Sequence, residues 1–411
     1  MPTAPPEQPR WLRRLNSHAL ATGGGEHLIP LDPLGLIDTA IASCNGLDDF
    51  GDDDWRQWFE LVVRSLETES KLHLVGRLLA RHDILRSLRN RLLLHELWKR
   101  RPEILETKLL QPTFVVGMAR SGTSILSELL SLDGSSRCPA MWEMLHPTEA
   151  IEDDALRQAG HDEHVFMEDT APEYGAMHSN HGDVPNECIF MTMNTFQADQ
   201  WSGLHHIPSY AKEFHRSDQR PVYRFHEKFL KTLQQRGSEG CSRWGLKAPS
   251  HLGLQEELFS VYPDALVIRI HRDPLKSLPS TFSLTNTLLR MRCEEEVLAK
   301  DASGLAFGIA YMLEQELAKR GDGRIPAERV IDVKYEDLMR DLPGTIRNLY
   351  DRAQWELRDE VLERMQSYIA NRPKGAHGKH EYSLEGAGLD AAEETERFRF
   401  YREAFDIPSE A

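Results

Sequence analysis

The chain has 411 residues, 40% of them apolar and 28% charged, which are the proportions of a folded globular protein with room for one large α/β domain and an appended segment. Acidic residues outnumber basic ones by 65 to 49, and the net charge of −16 gives a long-range field that repels nucleic acid and anionic membranes alike. Any anionic ligand therefore needs a local basic pocket.

The N-terminus, MPTAPPEQPRWLRRLN, has no apolar stretch of the kind a secretory signal requires, and the clusters APPEQP and ATGGGE predict a loosely held start up to about residue 25. From about Leu34 to Leu105, DWRQWFELVVRSLE and HDILRSLRNRLLLHELWKRR space their apolar residues three and four apart, which predicts a helical segment. Residues 1–105 form this N-terminal unit, and its helices offer a face for a homodimer. The grammar changes at Pro112. PTFVVGM is a short β-branched and aromatic run that ends in glycine, and SGTSILSELLSL after it is an amphipathic helix. WGLKA, ALVIRIH and VIDVKYED repeat the pattern of buried strands, with helical stretches between them. Alternation of this kind predicts a parallel sheet covered on both faces over residues 106–411. The stretch from about 150 to 220 is rich in His, Met, Asp and Asn and weakly periodic, which suits a mainly helical cap inserted over the sheet. Cys44, Cys138, Cys188, Cys241 and Cys293 show no CxxC spacing and suit the reduced thiols of a cytoplasmic protein. No apolar run is long enough to span a bilayer.

Gly117 and Gly122 reproduce the glycine spacing of a Walker loop, but Thr123-Ser124 follow where Lys-Ser or Lys-Thr would stand. Such a turn curls backbone N–H groups toward one oxyanion, and the helix start adds its positive end. Ser121, Thr123 and Ser124 supply hydroxyls, and Arg120 supplies a fork of charged donors. With no lysine, nothing in the loop reaches a γ-phosphate. A second anion site is suggested by ALVIRIHRDPLKSLPSTF, a strand running into Arg272 with Ser280 eight residues on, and a third by the basic loop PKGAHGKHEYS.

These three stretches, in this order on one sheet, resemble the PAPS-dependent sulfotransferase superfamily, and in particular the bacterial branch with an Arg-Ser-Gly-Thr-Ser loop. The resemblance covers about residues 110–400. It implies a doubly wound α/β fold of the P-loop, nucleotide-kinase-like type. It also implies transfer of a sulfuryl group from 3′-phosphoadenosine 5′-phosphosulfate (PAPS) to a hydroxyl, with PAP as product and no metal. Carried over by position, Gly117, Arg120, Ser121, Gly122, Thr123 and Ser124 hold the 5′-phosphosulfate, Arg272 and Ser280 the 3′-phosphate, and Tyr335 lies by the adenine. Lys374, Gly375 and Gly378 match the family's late 3′-phosphate loop. The tryptophan of the cytosolic enzymes is Ile125 here, and the late loop lacks their Trp-Lys.

Three residues are candidates for the proton-transfer machinery. Glu143 in RCPAMWEML is expected at the end of the next strand beside the donor, where related enzymes carry a glutamate base. His251 in WGLKAPSHL is the imidazole alternative, and Lys247 in the same string is placed to touch the bridging oxygen or the sulfuryl group. Asp183 and Glu187 in GDVPNEC are expected to shape the acceptor pocket. The acceptor is a small-molecule hydroxyl on a lipid, polyketide, steroid or phenol, with carbohydrate left open. Two rival readings are a nucleoside or nucleotide kinase, which Thr123 and the Arg272/Ser280 pair disfavour, and a non-catalytic PAP-binding protein.

Overall fold

The computed structural model describes residues 7–177, 181–371 and 383–408. Its centre is a five-stranded sheet in the order β2-β3-β1-β4-β5, every neighbouring pair parallel. The strands are β1 (Gln111–Val116), β2 (Ser136–Arg137), β3 (Arg243–Lys247), β4 (Leu266–His271) and β5 (Val330–Lys334). Four of them are the runs read from the sequence. The two-residue β2 is too short to leave a periodic signature.

β1 sits at the middle, with Phe114 opposite Leu246 on β3 and Val115 opposite Ile268 on β4. Its side chains alternate between two cores. Phe114 and Val116 pack with Trp98, Tyr223 and Phe229 on one face, and Val115 packs with Leu126, Leu130 and Ile346 on the other. Both faces are dry, so the strands read as continuous apolar runs. The polar residues of β4 are paired internally. Arg269 donates from Nε and Nη2 to Glu316 at 2.8 and 2.9 Å, with both side chains fully buried, and His271 bonds Tyr401 and Asp332.

The helices that frame the site are, in chain order, α1 (Arg10–His18), α2 (Arg56–Thr68), α3 (Leu74–Arg100), α4 (Thr123–Ser131), α5 (Met141–Leu145), α6 (Arg157–Thr170), α7 (Asp199–Leu204), α8 (Arg220–Leu233) and α9 (Pro274–Arg290). The start of the chain, expected as a loose tail, is helical from Arg10. Leu12 is fully buried, Trp11 Nε1 donates to the Asp169 carbonyl at 3.2 Å, and Asn16 accepts from the Val75 N–H at 3.0 Å. The Pro and Gly clusters flank this amphipathic turn and gave no hint of its docking.

The division at residue 105 is not a packing boundary. The 27-residue α3 contributes Ile84, Leu88 and Leu92 to one core and Leu94, Leu97 and Trp98 to the sheet's own core. The first of these cores joins Trp55 and Phe59 to Phe196, Trp201 and Tyr210 of the cap, so N-terminal segment and cap share one interior. All five cysteines are unpaired. Among the described residues no helix is long and apolar enough to cross a membrane.

Candidate active site

At the carboxyl ends of β1, β3, β4 and β5 lies a cleft of about 630 Å³, in the place where open parallel sheets bind their ligands. Its floor is the turn from β1 into α4. Gly122 has φ +99°, and a Cβ there would come within 2.4 Å of the Tyr335 ring. A Cβ on Gly117 would meet the Ile270 carbonyl at 2.9 Å. Only glycine lets this backbone turn so tightly against its neighbours. Arg120 is also left-handed, at φ +65°, a conformation that costs a side-chain-bearing residue about 1–2 kcal/mol.

Opposite this strain are donors. The first N–H groups of α4 have no carbonyl a turn behind them, and they carry the positive end of the helix. Arg120 donates from Nε to Ser280 Oγ at 3.0 Å and from Nη1 to the Met177 carbonyl at 2.6 Å. Arg272 donates from Nη1 to the Arg120 carbonyl at 3.1 Å, and its guanidinium lies 4.4 Å from the centre of the Tyr335 ring. The structure thus gathers Gly117, Arg120, Gly122, Thr123, Ser124, Arg272, Ser280 and Tyr335 at one corner. Ser121 is held differently from expectation. Its fully buried hydroxyl donates to the Met118 carbonyl at 2.7 Å and braces the turn from inside. Lys374, Gly375 and Gly378 lie outside the described residues. The donors and the glycine-only turn fit an elongated ligand with anionic groups near Arg120 and near Arg272.

Of the three proton-transfer candidates, Lys247 alone reaches this corner. Its Nζ, at the end of β3, donates to Ser124 Oγ at 3.4 Å and to Glu187 Oε1 at 2.8 Å. Glu143 stands elsewhere. It is in the first turn of α5, beyond the edge strand β2, where its carboxylate receives both Nη groups of Arg137 (3.0 and 2.5 Å) and the Ala140 N–H (2.7 Å). The strand expected to carry it to the donor ends at Arg137, and the carboxylate caps its own helix instead.

His251 is likewise turned away. Although Pro249 and Ser250 line the cleft, its ring points into the core, edge-on to Phe114 at 4.9 Å and bonded through Nδ1 to the Tyr223 hydroxyl at 2.8 Å. Burial, with His226 nearby, depresses it to about 3, so at neutral pH it is an uncharged and weakly basic packing residue.

Two carboxylates line the cleft, Glu187 and Asp199, and of the two Glu187 is the one bonded to Lys247. It arrives from the cap by backbone contacts with the sheet. The Cys188 N–H donates to the Lys247 carbonyl at 2.9 Å, and the Met141 and Trp142 N–H groups donate to the carbonyls of Val184 and Gly182 at 3.0 Å each. Segment 182–188 is thereby stitched to the start of α5 and, at Cys188, to the end of β3. Tyr174 also lines the cleft, and burial together with the Glu187 charge pushes its phenol upward, so it stays a hydrogen-bond donor. In the sequence Glu187 was read with Asp183 as a residue shaping the acceptor pocket, not as the base. Its pairing with Lys247 is a contact across sixty residues. Asp183 lies on the exterior, paired with Arg157 at 2.8 Å.

Residues 112–359 match the sequence model of the sulfotransferase family. The omega-hydroxy-beta-dihydromenaquinone-9 sulfotransferase Stf3 of Mycobacterium bovis is 25% identical over 299 residues, spanning 67% of this chain and 70% of that protein. The crystal structure of sulfotransferase STF9 from Mycobacterium avium superposes with a TM-score of 0.79 at 28% identity, covering 92% of this chain and 98% of that one. Sulfotransferase STF1 from Mycobacterium tuberculosis H37Rv gives 0.75 at 27% identity, covering 89% and 98%.

Proposed function

The chain belongs to the sulfotransferase family, and from that premise we propose that it moves the sulfuryl group of PAPS onto the hydroxyl of an apolar small molecule, with Glu187 as the base. The observation that carries this reading is the linked series Ser124–Lys247–Glu187, which ties the anion-binding turn to a carboxylate in the same cleft.

Bound in the cleft, the donor supplies an activated sulfuryl group and a nucleotide leaving group. The α4 N-terminus and Arg120 hold its 5′ end, and Arg272 holds the 3′-phosphate against Tyr335. Ser280 joins the two subsites through its bond to Arg120. Glu187 takes the acceptor's proton as the hydroxyl oxygen closes on sulfur. Lys247, held between that carboxylate and Ser124, meets the charge that develops on the bridging oxygen. Positioning and fixed charge do the remaining work, as in phosphoryl transfer. In a chain of net charge −16, the cations Arg120, Arg272 and Lys247 give the cleft corner the local positive charge an anionic donor needs. The unpaired cysteines suit a reducing compartment such as cytoplasm.

Supported by the name of the mycobacterial relative, the acceptor class is a hydroxylated lipid. Thermal shift with PAP tests the donor site. PAP is expected to raise the melting temperature where ATP with Mg²⁺ does not, and a protein that ignores PAP at millimolar concentration but responds to ATP is a kinase instead. Single-turnover assay of labelled PAPS with lipid extract then separates an enzyme from a non-catalytic PAP-binding protein.

A further inference from the structure

Beyond the transfer cleft the cap encloses a second chamber of about 380 Å³. His164, Met167, Phe190 and Gln200 line both spaces, so they form the neck between them. Phe190 stands on the same turn as Glu187, its N–H donating to the Glu187 carbonyl at 3.3 Å. From this neck the chamber runs between α3, α6 and the start of α7, with walls of Leu79, Leu145, Phe166, Met193 and Leu204. On the outer side Trp11 of α1 packs against the wall residue Phe166, 5.8 Å between ring centres. Leu78, on its rim, is 46% exposed.

The chamber's polar wall is largely paired within itself. Asp83 binds Arg86 at 2.9 Å and Arg292 at 3.0 Å, while Glu163 accepts from Arg86 at 2.8 Å and pairs with His82 and His146. Asp83 and Glu163 are thus already paired with guanidiniums, so a cationic group brought to them would be desolvated for little gain, while Arg292 keeps Nε and Nη1 without a hydrogen-bond partner among the described residues. The remaining walls are mostly Leu, Met and Phe, with Asp162, His164 and Gln200 as the polar exceptions, and they offer few partners to the many hydroxyls of a sugar.

We infer that this second chamber holds the apolar body of the sulfate acceptor, a neutral long-chain alcohol whose hydroxyl lies in the cleft at Glu187 and whose chain passes the Phe190 neck toward Leu78. The inference rests on the transfer reading above and sharpens it. It selects an uncharged lipid alcohol over carbohydrate, and it gives the N-terminal helices a task, since α3 forms one wall of the chamber and α1 packs behind Phe166.

The test uses the full chain with PAP bound and 1-dodecanol as probe, so that binding is read without turnover. Calorimetry is expected to detect dodecanol binding to the wild type, with affinity at least about tenfold weaker in Leu79→Trp, whose indole fills the space. PAP titration of the same variant reports that it is folded. In PAPS assays the ratio of kcat/KM for dodecanol over ethanol should fall by a similar factor in Leu79→Trp. The inference is overturned if the wild type binds PAP and sulfates ethanol yet shows no heat with dodecanol, or if Leu79→Trp leaves both the affinity and the ratio unchanged. A change in sedimentation alone would instead assign the chamber's rim to a second copy of the chain. Failure to sulfate any alcohol, with PAP bound, would bring down the transfer reading itself and this inference with it.

Discussion

Two carboxylate–cation pairs flank β3, and they behave as opposites. At its edge-strand side Glu143 and Arg137 are joined by two bonds, and a third bond from the Ala140 N–H completes a helix cap. At its carboxyl end Glu187 is joined to Lys247, which also touches the anion-binding turn. Both glutamates come from the stretch that follows the first βα unit, and both sit beside a cation. What separates them is access: the cleft reaches Glu187 and not Glu143. Charge pairing alone thus says little about chemistry, and the surface onto which the pair opens decides its role.

The strongest test of that contrast is Glu187→Gln against Glu143→Gln. The first is expected to lower kcat by about 10²–10⁴-fold, the usual share of a general base, while PAP affinity stays near wild type. The second should keep kcat within a few-fold and lose about 1–3 kcal/mol of stability in urea titrations, because it leaves Arg137 part-buried and poorly paired. Equal losses of kcat in the two variants would erase the distinction.

Next in size, Lys247→Met removes the cation at the cleft end of β3 and should cost about 10²–10³-fold in kcat. Arg137→Met should act on stability instead, and a melting curve beside a progress curve separates them.

The interior histidines extend the comparison to pH. Burial lowers His73 and His271 to about 4 and His205, His226 and His251 to about 3. The unfolded chain protonates these rings near 6.5 and the folded chain does not. Stability is therefore fully present above pH 6.5 and falls as pH drops toward 4, by about 1.4 kcal/mol per pH unit for each ring. His251→Phe should remove one proton from that slope, measured by urea unfolding at pH 7 and 5, and leave turnover largely in place. A variant that folds, binds PAP and has lost all transfer would return His251 to the catalytic candidates.

The smallest effect expected is at the turn. Gly122→Ala should destabilise by about 1–3 kcal/mol through its clash with Tyr335, with partial relief in the Gly122→Ala/Tyr335→Ala double variant. Absence of that coupling in a double-mutant cycle would mean that the ring does not press on the turn.

Much of the fold could be read directly. The runs PTFVVGM, WGLKA, ALVIRIH and VIDVKYED became β1, β3, β4 and β5, since a strand buried on both faces must be apolar throughout. The turn at Gly117–Ser124 was equally plain, because glycine spacing and the helix start are local properties. Arg272 and Ser280 followed from the same logic, a strand end and the helix after it. The docking of α1 was hidden, since a short amphipathic turn among Pro and Gly has no visible partner until α3 and the cap supply one.

Sequence by itself determined the strand–turn–helix cradle, because short-range spacing fixes which N–H groups and side chains face one anion. Only the tertiary structure decided which acid is within reach of it. Glu143 and His251 stand closer along the chain to cradle and strand than their final positions suggest, and they were drawn off by Arg137 and Tyr223. Glu187 was delivered by backbone bonds between the cap and the end of β3, a long-range pairing that no local pattern encodes.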